Sequence, residues 1–408
     1  MPAVPADQGP VTLDDILDAR ERLAPVLRRT PAEESDALSR LTRRRIHLKP
    51  EHRQRTGSFK LRGAYNLVSR LEPGVPVVAA SAGNHAQGVA LAASLTGHPA
   101  TIFMPASAPL PKVQATRDYG ATITLAGDAV DDAIEAARRH ADATGAVYVP
   151  PFDHPLIVAG QGTIGVELAD ELPPDVTTVV VPVGGGGLIS GIAVALAARR
   201  PDVEVVGVQA AGAASMAASL AEGHVVRLDA LHTMADGIAL KTPCALTLGL
   251  VERYVSRIVT VTEEEISRAL LLLVERAKWV VEPAGATSFA AVLAGHVAGE
   301  GAVACVLSGG NIDPLLLIRV IEHGLSAAGR YVVLRVVMDD TPGSLARLTS
   351  AIAERGLNIL SVEHRRAGLA LPMTAVEVVL TMETRDPEHR AETVEWLRDK
   401  GYAVDLLR

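Results

Sequence analysis

The sequence predicts an α/β protein built on parallel sheets, followed by a small α+β unit with a ferredoxin-like pattern. Three observations carry this expectation. Between residues 75 and 210, short apolar runs alternate with helical segments, which marks parallel sheets covered on both faces. The last stretch, about 78 residues from position 331, changes to a βαββαβ pattern. The length of 408 residues also exceeds one ordinary domain, at roughly 100–200 residues each.

In chain order, residues 14–28 read as a helix broken by Pro25, and IHL (46–48) as a short apolar stretch. The segment after Thr56-Gly57-Ser58 reads as a helix. Strands follow at VPVVAAS (75–81), PATIFMP (99–105), ATITLAG (121–127) and AVYVP (146–150), with helices at 84–95, 112–119, 129–144 and 157–172 between and after them. This block of about 75–150 is expected as a small subdomain inside a larger one. The pattern resumes with a strand at 176–183, a helix from Leu188, VEVVGVQA (203–210), a helix at 262–277 and AVACVLSGG (302–310). The segment GLSAAG (324–329) reads as a linker, which puts domain limits at 1–328 and 331–408. In the tail, strands are expected at 331–338, 358–364, 375–382 and 402–406, with helices around Leu345–Leu348–Ile352 and over 388–400. There is no internal repeat.

Composition excludes several functions. Hydrophobic residues make up 48% and charged residues 21%, enough for a packed core. Aromatic residues are only 3%, too few for base-stacking platforms. The net charge of −8 argues against a nucleic-acid or anionic-membrane partner, since both need basic fields. Arg43, Arg44 and Arg45 read as a solvated turn. Cys244 and Cys305 cannot form a disulfide framework, so reduced thiols and a cytoplasmic location are expected. The N-terminus MPAVPADQGPVT has neither a basic n-region nor an apolar h-region. The uncharged stretch 176–198 is long enough to span a bilayer, but Pro182 and four glycines interrupt it. A bare loop at mid-membrane would leave backbone groups unpaired, so strand, loop and buried helix is the reading. The histidines show no metal-ligand spacing, and no metal is expected.

The chemistry is expected at three glycine-rich turns, each directly after an apolar strand: SAGNHAQG (81–88), GGGGLISG (184–191) and SGGNIDP (308–314). In parallel sheets, ligands bind at the carboxyl ends of strands, where helix N-termini point donors at anions. The glycine run is neither a dinucleotide fingerprint nor a Walker loop; it suits a single phosphate monoester.

With EHRQRTGSFKLRGA (51–64) and ADGIA (235–239) added, the chain resembles the fold type II pyridoxal-phosphate enzymes, and within them the threonine/serine dehydratases. The resemblance spans about 12–325, and residues 331–408 resemble an ACT regulatory domain. It implies two parallel-sheet subdomains, pyridoxal 5'-phosphate as cofactor, and elimination of water and ammonia from L-threonine or L-serine. By resemblance, Lys60 is the Schiff-base lysine and the base for the Cα proton. Phe59 lies against the pyridine ring, and Asn84 reaches the ring hydroxyl. Gly184, Gly185, Gly186, Gly187 and Leu188 hold the phosphate, and Ser308 meets the pyridine nitrogen. Gly237 and Glu282 line the cofactor. Ser81, with Asn84 and His85, receives the substrate carboxylate. In the tail, Asp339, Asp340, Gly343 and Ser344 in DDTPGSL stand where an amino-acid effector would bind, isoleucine or valine by analogy with feedback-controlled relatives. A homo-oligomer, dimer or tetramer, and a place in isoleucine biosynthesis are part of the same expectation.

Three other readings compete. A serine racemase needs a second acid/base opposite Lys60. Racemising relatives carry a serine there, and this chain has Ala82. An idle amino-acid sensor would not need Lys60. Other β-replacing relatives, such as cysteine or tryptophan synthases, fit the Ser-Ala-Gly-Asn-His motif and the tail less well.

Overall fold

The computed structural model describes residues 11–366 and 374–407. Most of the N-terminal stretch read for targeting therefore lies outside the described residues. The chain divides into two compact units, Met1–Pro314 and Leu315–Arg408.

The first unit opens with α1 (Leu13–Leu23), β1 (Glu33–Glu34), α2 (Asp36–Thr42) and β2 (Ile46–Lys49). Thr12 caps α1 reciprocally with Asp15. Next come α3 (Lys60–Val68), β3 (Val77–Ala80), α4 (Asn84–Thr96), β4 (Ala100–Met104), α5 (Leu110–Asp118), β5 (Thr122–Leu125), α6 (Val130–Thr144) and β6 (Val147–Tyr148). The unit continues with α7 (Pro155–Glu171), β7 (Val176–Pro182), α8 (Gly187–Arg199), β8 (Glu204–Ala210), α9 (Ser215–Glu222), α10 (Ala245–Tyr254), β9 (Arg257–Val261), α11 (Glu263–Leu272), α12 (Pro283–Leu293) and β10 (Ala302–Val306).

Among the described residues these strands form two sheets. The smaller is parallel, in the order β5-β4-β3-β6. The larger runs β1-β2-β10-β7-β8-β9, parallel except for the short edge strand β1. The last strand in sequence, β10, thus lies between β2 and β7. That insertion brings the residues after β2, β10 and β7 side by side at one edge. Helices α7 and α8 cover the larger sheet and are apolar on nearly every face. They meet through glycines. A Cβ on Gly191 would sit 2.3 Å from the Val158 carbonyl oxygen, so the two backbones can touch only without side chains.

The helix expected at 262–277 continues as a π-turn over Leu273–Ala277 and ends with Lys278 at φ +64°. The arginine triplet is a turn with Arg43 and Arg45 exposed, as expected, but Arg44 is half-buried and the turn is not simply solvated. Arg44 donates to the Gly301 and Val297 carbonyls, and Arg45 pairs with Glu34 and Asp175. The turn lies against other chain segments whose carbonyls and carboxylates need cations. No helix among the described residues is long and apolar enough to cross a membrane.

The second unit contains α13 (Pro314–Ala327), β11 (Tyr331–Asp339), α14 (Ser344–Glu354), β12 (Ile359–Arg365), β13 (Ala375–Glu383), α15 (Pro387–Asp399) and β14 (Ala403–Leu406). Its sheet is antiparallel, in the order β12-β13-β11-β14. The stretch read as a linker is helical up to Ala327. Val320 and Gly324, four apart, are buried on one face, and Arg390 donates to the Ser326 carbonyl.

A buried ion cluster fixes α3. Arg62, Glu51 and Lys49 have no exposed surface. Arg62 donates to both oxygens of Glu51 at 2.8 and 2.9 Å and to both oxygens of Glu167 at 2.6 and 2.9 Å. Lys49 reaches Glu167 and Glu171, each at 2.8 Å. Burial opposes the charge on Glu167, but Arg62 and Lys49 outweigh it and hold its carboxyl down at about 2. Removing one partner of such a cluster strands a buried charge. We therefore expect Arg62→Met to cost about 3–5 kcal/mol, read as a lower urea midpoint; an unchanged midpoint would show that Glu51 finds other compensation.

Candidate active site

The lysine loop and the three glycine turns converge on one cavity of about 770 Å3. Every candidate residue of the first unit lines it: Phe59, Lys60, Ser81, Asn84, His85, Gly184, Gly185, Gly186, Gly187, Leu188, Gly237, Glu282 and Ser308. Its walls come from both sheets. The turn after β3 faces the turns after β7 and β10. The loop before α3 is tied to the turn after β10. Phe59 N–H donates to the Ser308 carbonyl at 3.1 Å, and Gly310 N–H to the Gly57 carbonyl at 2.9 Å.

Lys60 begins α3, and its amine enters the cavity. Nζ donates to the Pro151 carbonyl at 2.9 Å and lies 5.2 Å from the centre of the Phe59 ring. Among the described residues, no carboxylate forms an ion pair with it. Burial lowers its pKa to about 8, against a smaller upward pull from Glu282. The amine therefore stays mostly protonated at about pH 7.4, with roughly a fifth neutral, far more than for an ordinary lysine. His85 is pushed down to about 3 by burial and by the charge of Lys60, despite its 2.9 Å bond to the Val149 carbonyl. It stands beside the lysine as a neutral ring.

The glycine run lies flat against protein on one side. A Cβ on Gly185 would fall 2.5 Å from the Phe152 ring, and one on Gly187 would fall 2.9 Å from Phe152 Cβ. At Gly186, φ is +89°, a left-handed conformation that turns the chain into α8. The first amides of α8 have no intrahelical partner. With the helix dipole they make an anion cradle at the cavity wall.

Beneath the cavity, Asn84 Nδ2 donates to Glu282 Oε1 at 2.7 Å. Burial raises Glu282 to about 7, reinforced by Asp236, while Asn84, Lys112 and the Asn311 backbone amide pull the other way. Ser308 is 3% exposed and carries no charge. Ser81 Oγ accepts the Gly83 amide at 3.1 Å. Ala82 also faces the cavity. Two ion pairs bridge the small subdomain to the larger one near the mouth: Lys112 to Asp236 at 2.5 Å and Arg227 to Asp131 at 3.3 Å.

The sequence reading missed Pro151 and Phe152, which sit in a loop with no motif. It also missed Asn311, although the SGGN motif contains it. Among the described residues, no group of three or more His, Cys, Asp or Glu side chains is placed to hold a metal.

In the second unit, Gly343 at φ +90° caps α14. The Ser344 hydroxyl is engaged by Thr341 at 2.7 Å and by Arg347 at 2.9 Å, and Asp340 pairs with Arg366 at 3.4 Å.

Residues 23–309 match the family described as pyridoxal-phosphate dependent enzyme. This chain belongs to that family. Residues 332–398 match the ACT domain. The chain is 49% identical to an L-threonine ammonia-lyase of Thermotoga maritima over 400 residues, covering 97% of this chain and 100% of that protein. The processed form of threonine deaminase isoform 2 from Solanum lycopersicum superposes with a TM-score of 0.73 at 35% identity, covering 79% of this chain and 93% of that one. Maize serine racemase superposes with a TM-score of 0.73 at 33% identity, covering 78% and 99%.

As a pyridoxal-phosphate enzyme, the chain needs a nucleophilic amine, and the lowered pKa of Lys60 makes a chemical prediction. At pH 8, in cofactor-free protein, about half of the Lys60 amines are neutral, against well under 1% for an ordinary lysine near 10.4. Reductive methylation at limiting reagent, followed by peptide mass spectrometry, should label Lys60 ahead of the exposed lysines. The advantage should shrink as the pH rises above 10. Equal labelling at pH 8 would show that the amine is not depressed.

Proposed function

We propose that this chain is an L-threonine ammonia-lyase that also accepts L-serine, with an amino-acid-responsive ACT domain at residues 331–408 and the catalytic part at 1–328. The observation that carries the reading is Lys60. Its unpaired, partly neutral amine stands in a cavity opposite a glycine-run anion cradle, in a chain 49% identical over nearly its full length to an L-threonine ammonia-lyase.

The residues present fit pyridoxal 5'-phosphate. Lys60 would bind it covalently and Phe59 would lie against its ring. The amides of Gly184, Gly185, Gly186, Gly187 and Leu188 would hold the phosphate. Asn84 would donate to the ring hydroxyl, with Gly237 and Glu282 beside it. Ser308, neutral and buried, would meet the pyridine nitrogen without forcing it to protonate. When bound, the cofactor supplies the electron sink that makes the substrate Cα–H acidic.

The rest falls to the chain. The Ser81 hydroxyl and the amides of Asn84 and His85 would orient the substrate carboxylate. Lys60 Nζ takes the Cα proton, a role its lowered pKa suits. The β-hydroxyl departs as water, and hydrolysis then gives 2-oxobutanoate and ammonia from threonine, or pyruvate from serine. The methyl of Ala82 has no proton to offer, which favours elimination over racemisation. The free thiols Cys244 and Cys305 suit a cytoplasmic enzyme. In the second unit β12 is an edge strand with Leu360 and Val362 exposed, which supports a homo-oligomer in which another chain covers that edge.

Two tests follow. Lys60→Ala should abolish turnover of L-threonine and remove the visible absorbance of the lysine-bound cofactor, since both nucleophile and base are lost; L-serine should give pyruvate with negligible D-serine by chiral chromatography. Turnover by Lys60→Ala within about tenfold of the unmodified protein would overturn the lysine assignment, because loss of a general base alone exceeds that factor; D-serine appearing as fast as pyruvate would overturn elimination without racemisation. For the tail, isoleucine or valine should shift the apparent threonine affinity of the full chain about 5–150-fold and leave a chain ending at Ala328 unaffected. Calorimetry showing no binding of any amino acid to the full chain's tail would make that domain purely structural.

A further inference from the structure

Asn311 follows the Ser308-Gly309-Gly310 turn, and its carboxamide reaches into the gap between the lysine loop and α4. Nδ2 lies 2.8 Å from the Thr56 carbonyl oxygen and 2.8 Å from Asn84 Oδ1. A backbone carbonyl only accepts, so the Asn311 atom facing Thr56 is the NH2 nitrogen. That same nitrogen faces Asn84, so the Asn84 atom opposite it is the oxygen. The Asn84 nitrogen therefore points the other way, 2.7 Å from Glu282 Oε1. The Thr56 carbonyl thus fixes the orientation of the Asn311 amide, and Asn311 together with the Glu282 carboxyl fixes that of Asn84. Both hydrogens of the Asn311 amide are used; one hydrogen of the Asn84 amide goes to Glu282, and the second is left for a group bound in the cavity.

The surroundings hold Asn311 in this position. A Cβ at Gly57, where φ is +71°, would lie 2.4 Å from Asn311 Oδ1, so the lysine loop has given up a side chain to admit it. The Asn311 backbone amide faces the Glu282 carboxyl and helps hold its pKa down. One residue therefore touches both the loop carrying Lys60 and the Asn84 side chain.

We infer that Asn311 is a positioning residue that sets the polarity of the Asn84 amide, so that Asn84 offers a donor, and not an acceptor, to the cofactor's ring oxygen. This rests on the proposed reading of the cavity as a pyridoxal 5'-phosphate site. Asn311 touches no reacting atom; it acts through Asn84. A carboxylate at 311 would face the Asn84 oxygen with an acceptor. The Asn84 amide would then turn over, with the Glu282 carboxyl taking a proton to donate to its oxygen, and the amide would present that oxygen to the cavity.

The test is a double-mutant cycle on the full chain. Asn311→Asp and Asn311→Ser are each made alone and with Asn84→Ala. Three quantities are read: the cofactor dissociation constant by fluorescence, the visible absorbance maximum of bound cofactor, and kcat and KM for L-threonine. In the otherwise unmodified chain, Asn311→Asp should weaken cofactor binding about tenfold or more, the scale of a lost hydrogen bond to a charged group. It should also shift the absorbance and lower kcat more than it raises KM. Asn311→Ser, which adds no charge, should weaken binding less, and it carries the test if the aspartate variant does not fold. In the Asn84→Ala background both substitutions should change cofactor affinity and absorbance by less than about twofold, because contacts with a shared partner are not additive. An equal loss in both backgrounds, or no loss in either, overturns the inference. Unmodified protein that binds the cofactor but leaves L-threonine untouched would overturn the proposed reaction, and the affinity and absorbance cycle would still decide the role of Asn311.

Discussion

Arg62 has no exposed surface and donates to both carboxylate oxygens of Glu51 and of Glu167. Helix α3 therefore cannot slide or rotate without leaving charge unpaired in the interior, where the penalty is several kcal/mol. The consequence for the site is geometric. Lys60 lies two residues before Arg62, at the first turn of the same helix. The ion cluster fixes where the lysine Cα sits relative to α7 and β2. Ile157 and Gln161 on α7 then crowd Gly63 from the other side, leaving no room for a Cβ there. A helix pinned this firmly can aim a flexible four-carbon chain at a single place.

The charges are segregated by depth. The arginine and its glutamates compensate one another beneath α3. Lys60, by contrast, meets only a carbonyl at 2.9 Å, and the positive end of its own helix disfavours a cation there. The same fold thus keeps one cation firmly charged by pairing it and lowers the pKa of another by withholding a partner. Burial acts on both; the difference is the presence of carboxylates within hydrogen-bond reach.

The cavity depends on two sheets. The turn after β3, with Ser81 and Asn84, belongs to the small sheet, whereas the glycine run and the SGGN turn end strands of the large one. Asn84 and Asn311 join these halves at 2.8 Å below the cavity, and Lys112 and Asp236 join them at 2.5 Å near its mouth. The polar contacts at the floor are buried in a network with defined donors and acceptors, which makes each one sensitive to its neighbours. The contacts at the mouth are more exposed and correspondingly weaker.

Much of this was legible in the sequence. The strands from β3 to β8 and the helices between them follow from short apolar runs and intervening helical segments. The glycine turns stand where a strand meets a helix, and the motifs around Lys60, Asn84, Gly184–187 and Ser308 identify the family and its cofactor. These features are local, since each is written within one or two turns of chain. Other features were not legible. The strand β9 and the helices α9, α10 and α12 were passed over because their segments lack a clear period. The placement of β10 between β2 and β7, which assembles the floor of the cavity, depends on pairing residues such as Cys305 with Leu48 and with Val180, each far away in sequence. The pairing of Arg44 with Gly301, the wall that Phe152 makes behind the glycine run and the direction of the Asn84 amide are likewise long-range. Local pattern determined which groups the chain possesses. Which of them meet, and with donor or acceptor facing inward, was decided by tertiary packing, because hydrogen bonding and burial are satisfied only between segments that sequence separates.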